Sequence, residues 1–178
     1  QYHIGRPTVR QAMDTLVQKG LIQRKRGAGT FVKHPSPQVD LFSLAGTSQA
    51  FLTKGIPIET KLIKPIVKKM ILHDPENPFN NREAFFLSRL TLTKGIPVLL
   101  EDIYLATDLF MGIDRIDLEN KSLAQIASDH YYLVPENGSQ LFKVEALDAK
   151  RSAWLEVTPS DPVLTVRRKL NFPQAPNA

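Results

Sequence analysis

The stretch RPTVRQAMDTLVQKGLIQRKRGAGTFV, residues 6–32, decides how this chain is organised. Its first half sets Val9, Ala12, Met13, Leu16 and Val17 at i, i+3, i+4, i+7, i+8 spacing, which predicts an amphipathic helix from Arg6 to Gly20 with one stripe to bury. Pro7 suits the first turn, where a missing N–H costs nothing because no helical carbonyl would receive it. Lys19 complements the negative end of the helix dipole, and Gly20 supplies the left-handed residue that stops the helix. In the second half, two short β-prone runs flank the basic, glycine-rich segment around Arg26-Gly27-Ala28-Gly29, a pattern that predicts a hairpin.

The charge of the chain is concentrated in the same place. Its formal net charge is +5, yet residues 1–34 hold seven Lys and Arg against the single acid Asp14. Residues 35–178 hold sixteen basic and seventeen acidic side chains, close to neutral. Such polarity points to a polyanion-binding module joined to a neutral domain, the alternative being a merely solvated basic surface. The order of features favours the first. Arg6, Thr8 and Arg10 gather at the helix N-terminus, where a recognition helix meets bases and phosphates. Arg24, Lys25 and Arg26 supply charge that displaces counterions from DNA. Gly27 and Gly29 let the backbone approach a groove without a Cβ, although a tight turn alone would also explain them. A helix followed at once by a basic hairpin is the layout of a winged helix.

Several function classes are disfavoured. The chain has no Cys, and His3, His34, His73 and His130 match no metal-ligand spacing, so neither thiolate chemistry nor a metal site is expected. No run approaches the roughly 20 apolar residues that span a bilayer. With 42% hydrophobic and 23% charged residues the composition is that of an ordinary globular protein, expected in the cytoplasm and without a cofactor. The chain starts at Gln1, and further N-terminal sequence is expected before it.

Beyond the basic segment, residues 34–40 carry Pro35 and Pro37 and are expected to be an extended linker. Thr47–Lys54, ended by Gly55, suggests a short helix, and Ile56, Ile58, Thr60 and Leu62 alternate as a strand should. Asp74–Asn81 is rich in Pro and Asn and is expected to be loop. Glu83–Thr93 and Pro97–Leu105 form the best hairpin, joined by Lys94-Gly95-Ile96. A three-residue loop there sets Arg89 opposite Glu101, whereas a two-residue loop sets Arg89 against Leu100. In the first register the pair is either an ion pair on a sheet face or a polar anchor in a ligand cavity. Ser122 precedes Leu123, Ile126, Ala127 and Tyr131 and is a natural N-cap, at a helix end able to receive an anion. Gln140–Leu147 and Val163–Leu170 read as strands, with a helix over Asp148–Val157 between them that buries Ala149, Ala153 and Trp154 or Leu155. Antiparallel strands with intervening helices make this an α+β domain.

Two sets of residues carry a resemblance. Gly5-Arg6-Pro7-Thr8-Val9-Arg10-Gln11-Ala12, Leu16, Gly20-Leu21-Ile22 and Gly27-Ala28-Gly29-Thr30-Phe31-Val32 resemble the end of a GntR-family winged helix-turn-helix. Leu41-Phe42-Ser43, Arg89-Leu90, Gly95-Ile96-Pro97-Val98, Glu101, Tyr104-Leu105, Ser122-Leu123, Pro162-Val163-Leu164 and Arg167 are similar to the effector domain of HutC-type members, the UTRA domain. The resemblance implies a partial winged helix-turn-helix at 1–33 and a chorismate-lyase-like antiparallel-sheet effector domain at 41–178, shortened at its C-terminal end. It also implies DNA contacts from Arg6, Thr8, Arg10, Arg24, Arg26, Gly27 and Gly29, and effector contacts from Arg89, Thr91, Glu101 and Ser122. Gly5 stands where the family usually has Ser, which removes a possible cap hydroxyl. Thr91 replaces a second Arg and Ala124 an aromatic, which removes polar grip, leaves space and points to a less highly charged or bulkier ligand. The implied function is a non-enzymatic repressor that releases double-stranded operator DNA on binding a phosphosugar, amino sugar or small carboxylate, and acts as a homodimer away from the membrane. The alternatives are a lyase-like enzyme for small acids and a dimerisation module that senses nothing.

Overall fold

The computed structural model describes residues 5–32 and 46–173. The expected linker at 34–40, the Leu41-Phe42-Ser43 landmark and residues 174–178 lie outside the described residues. The chain divides into two compact units, residues 1–38 and 39–178.

In the first unit, helix α1 (Arg6–Gln18) begins with Pro7 in its first turn and ends at Gly20, whose φ of 69° is the left-handed stop the sequence suggests. Strands β1 (Ile22–Lys25) and β2 (Gly29–Val32) pair antiparallel, with Lys25 opposite Gly29 across the Arg26-Gly27-Ala28 turn. Gly27 and Gly29 take φ of 77° and 109°, a region closed to most residues with a Cβ. One expectation is corrected: no residue of α1 is fully buried, and Val9 is 51% exposed. Periodicity identifies an amphipathic face, but burial of that face requires a packing partner, and within residues 5–32 the hairpin shields it only around Met13 and Leu16.

The second unit is built on strand β4 (Arg82–Thr93), flanked by β3 (Glu59–Ile71) and β5 (Ile96–Ala106) in a three-stranded antiparallel sheet. Every residue of β4 from Ala84 to Leu92 is buried, because it is a central strand covered on both faces. On one face Phe85 and Leu87 join Phe110, Ile113, Leu118, Ile126, Ala127 and Leu133 in the main core, beneath helix α3 (Leu123–Tyr131). On the other face Phe86 stacks on Tyr104, and α4 (Ala149–Leu155) packs against β5. Helix α2 (Thr47–Leu52) precedes β3, and β6 (Asn137–Glu145) pairs with β7 (Val163–Asn171) in a separate antiparallel ribbon. The architecture is the expected α+β arrangement of antiparallel strands and helices.

Three local expectations change. Strand β3 runs on to Ile71, well past the alternation that ends at Leu62. It is an edge strand, irregular between Leu62 and Val67 around Pro65, so its exposed Lys64, Lys68 and Lys69 hide the period of two. In α4 the fully buried residue is Ser152, while Ala149 and Ala153 face solvent and Trp154 and Leu155 are half-buried. The third concerns the β4–β5 turn. It has two residues, Lys94 and Gly95, both at positive φ (50° and 78°), with Thr93 facing Ile96. This is the turn whose twist suits a two-residue hairpin. The ladder then slips between Thr91 and Leu92, leaving Val98 without an opposite residue, so that Arg89 faces Glu101 after all. The expected partner is found, but a bulge rather than a three-residue loop sets the register.

Candidate functional site

The seven residues singled out in the first unit are all exposed. Arg6, Thr8 and Arg10 occupy the first turns of α1, and Arg26, Gly27 and Gly29 form the hairpin tip. Arg24 differs from the others, because its guanidinium lies 2.5 Å from the Asp14 carboxylate of α1. That ion pair ties β1 to the helix. At exposed positions such a pair contributes about 0.2–1 kcal/mol, so it leaves Arg24 free to exchange partners.

In the second unit the sheet face beneath α3 brings Arg89, Glu101 and the start of α3 together. The Arg89 side chain is 6% exposed, and its Nε donates to Glu101 Oε2 at 2.7 Å. Glu101 also accepts from the Thr47 hydroxyl of α2 at 3.3 Å. A second Arg89 nitrogen, Nη1, reaches the carbonyl of Lys121 at 3.5 Å, one residue before Ser122. Ser122 caps α3, its Oγ accepting from the Gln125 N–H at 3.3 Å. Thr91 is buried on the same face and pairs across the sheet with Thr60. Arg89, Glu101 and Ser122 thus meet at one corner, with Thr91 one step along the strand.

Sequence reading missed the groups that hold this corner. Thr47 closes over Glu101 from α2. Asn120, at φ 53°, clamps the α3 approach to β3: its Oδ1 accepts from the Thr60 N–H at 2.8 Å and its own N–H donates to the Thr60 carbonyl. An Asn just before a capped helix is the one available signal, since Asn tolerates the left-handed region. Gly46 explains why α2 can come so near, because a Cβ there would sit 3.0 Å from that of Ala124. A larger residue at either position would push the two helix starts apart.

Beside the corner runs a groove of about 390 Å³, bounded by α2, the start of β3 and α3. Ser122 and Thr60 line it, whereas Arg89, Thr91 and Glu101 do not. On the far sheet face a second polar set forms. The Ser88 hydroxyl and Asp102 are hydrogen-bonded, and Arg151 of α4 donates to Asp102 at 2.6 Å. Tyr104 beside them has its pKa raised by burial and then by the nearby Asp102 and Asp74 carboxylates. Among the described residues no cluster of three or more His, Asp, Glu or Cys is placed to hold a metal ion, and no helix is long and apolar enough to cross a membrane.

The family model for the UTRA domain matches residues 79–171, and that for bacterial regulatory proteins of the gntR family matches residues 1–32. The uncharacterized HTH-type transcriptional regulator YurK of Bacillus subtilis (strain 168) is 28% identical over 93% of this chain and 69% of its own length. A protein of Escherichia coli (strain K12) named "Probable fructoselysine utilization operon transcriptional repressor" is 23% identical over 98% of this chain and 72% of its own length. The HTH-type transcriptional repressor NagR of Bacillus subtilis (strain 168) is 24% identical over 94% of this chain and 70% of its own. Among solved structures, PhnF from Mycobacterium smegmatis superimposes with a TM-score of 0.73 at 21% identity, over 99% of this chain and 78% of that one.

Proposed function

We propose, from the premise that this chain belongs to the UTRA-containing gntR family of bacterial regulatory proteins, that it is a transcription repressor whose grip on operator DNA is released by a small-molecule effector. In this reading the first unit is the DNA-contacting end and the second is the sensor. Arg6, Thr8 and Arg10 enter the major groove from the start of α1, and the hairpin tip at Arg26–Gly29 follows the adjacent backbone or minor groove. The protein acts in the cytoplasm, as a homodimer on a two-fold operator, and catalyses no reaction.

One observation supports the effector corner most directly: a guanidinium almost wholly removed from water, paired with Glu101 beside the capped start of α3. A buried ion pair of this kind contributes little net stability over an apolar pair, so a binding role is a better reason for it than structure alone. Arg89 offers charge-assisted donors to a phosphate or carboxylate, Glu101 accepts from hydroxyl or amine groups, and the Ser122 hydroxyl adds a donor. Thr91 in place of a second cation favours an effector of modest charge, an amino sugar or small carboxylate over a sugar bisphosphate. Effector binding shifts the repressor population away from the DNA-competent arrangement by no more than its difference in affinity for the two states.

A thermal-shift screen against phosphosugars, amino sugars and small carboxylates tests the sensor. A ligand at about 100 times its Kd adds roughly 2.7 kcal/mol of stability. The expected hit disappears in Glu101→Gln and releases an operator duplex selected with the intact protein. A protein that binds its duplex while no compound moves its melting point is instead a dimerisation module without a sensor.

A further inference from the structure

We infer that the groove along α3 is a second ligand site, built for a linear aliphatic zwitterion with an acid at one end and an amine at the other. It meets the Arg89–Glu101 corner at Ser122, but neither Arg89 nor Glu101 lines it. The chemistry of its two ends is opposite.

At the α3 start, Asn120, Lys121 and Ser122 border the groove. Asn120 Oδ1 accepts from the Thr60 N–H, which leaves the Asn120 amide nitrogen as a donor. The Lys121 ammonium adds charge at the same end, held only loosely by Asp117 at 3.8 Å. An amide donor and a cation suit a carboxylate. At the other end of the same helix face stands Asp129, whose carboxylate makes no hydrogen bond or ion pair with another described residue. It can accept an ammonium.

Between the ends the floor is apolar: Ile58, Ile116 and Ile126 line it, with Leu52 of α2 half exposed at the side. Seven residues separate Ser122 from Asp129, about 10 Å along the helix axis. A six-carbon ω-amino acid spans that distance with its methylene chain over the isoleucines and a charged group at each end.

Isothermal titration of the full chain with 6-aminohexanoate, hexanoate and hexylamine decides the matter. We expect 6-aminohexanoate to bind at least about tenfold more tightly than either singly charged analogue. Asp129→Asn removes its advantage over hexanoate, and Lys121→Gln removes its advantage over hexylamine; both positions are exposed, so neither change threatens folding. Equal binding of all three compounds, or binding of none at millimolar concentration, overturns the inference. So does 6-aminohexanoate binding that survives Asp129→Asn but is lost in Glu101→Gln, which would move the zwitterion to the neighbouring corner.

Discussion

Arg89 carries its charge into a site where water scarcely reaches it, and Glu101, itself bonded by Thr47, and the Lys121 carbonyl must replace the hydration it gives up. Removing one partner leaves the other charge stranded. Glu101→Ala is therefore expected to cost about 3–5 kcal/mol in urea unfolding, nearer the lower figure because Glu101 keeps some exposure. Replacing both residues at once, Arg89→Met with Glu101→Leu, recovers most of that loss while abolishing the effector response. A double change as harmful as the single one would show that the pair holds the fold rather than the ligand. Tyr104, on the opposite face, gives a prediction in pH. Its folded pKa is raised above the ordinary 10.0, so between pH 10 and that raised value the unfolded chain loses a proton that the folded chain keeps. The stability it contributes is full below pH 10 and falls as pH climbs. Asp102→Asn should shift the phenol's absorbance titration only part of the way back, because burial is the larger cause.

At the scale of elements, what could be read in advance was local. Helix α1 shows in its apolar spacing, α3 in its cap, the hairpins in their glycines; each depends on neighbours a few positions away. What could not be read depends on pairing at a distance. The length of β3 is set by its ladder to β4, the face of α4 by its seat on β5, and the groove by three elements that only folding brings together. The candidate corner was half legible. Arg89, Glu101 and Ser122 stood out by type and position, while Thr47 and Asn120 are ordinary polar residues until the fold places them. The β6–β7 ribbon carries a similar hidden constraint. A Cβ on Gly138 would lie 2.6 Å from the Lys169 carbonyl oxygen, a backbone atom held in the ladder. Gly138→Ala should therefore lower the melting temperature although the position is exposed and its φ ordinary. At Lys94 the opposite holds. Lys94→Asn places a residue tolerant of positive φ in the β4–β5 turn and should stabilise the fold by up to about 1 kcal/mol, measured by denaturant midpoint.

For the whole molecule, the segregation of charge separates two measurable behaviours. Affinity for duplex DNA should fall steeply with salt, and Arg10→Ala, if Arg10 meets a phosphate, should reduce the log–log slope by about one without changing the effector's affinity. A slope unchanged by both Arg6→Ala and Arg10→Ala would remove α1 from the interface. The unpaired Val98 bears on how such a chain changes length over generations. Deleting Val98 straightens the ladder beyond the turn yet keeps Thr93 facing Ile96 and Arg89 facing Glu101, so descendants can lose this residue and still fold and sense. A deletion at Ser88, deep in β4, instead turns every later side chain of that strand to the opposite face. Gaps in this lineage should therefore collect at the hairpin's shoulder and be absent from the strand that carries the arginine.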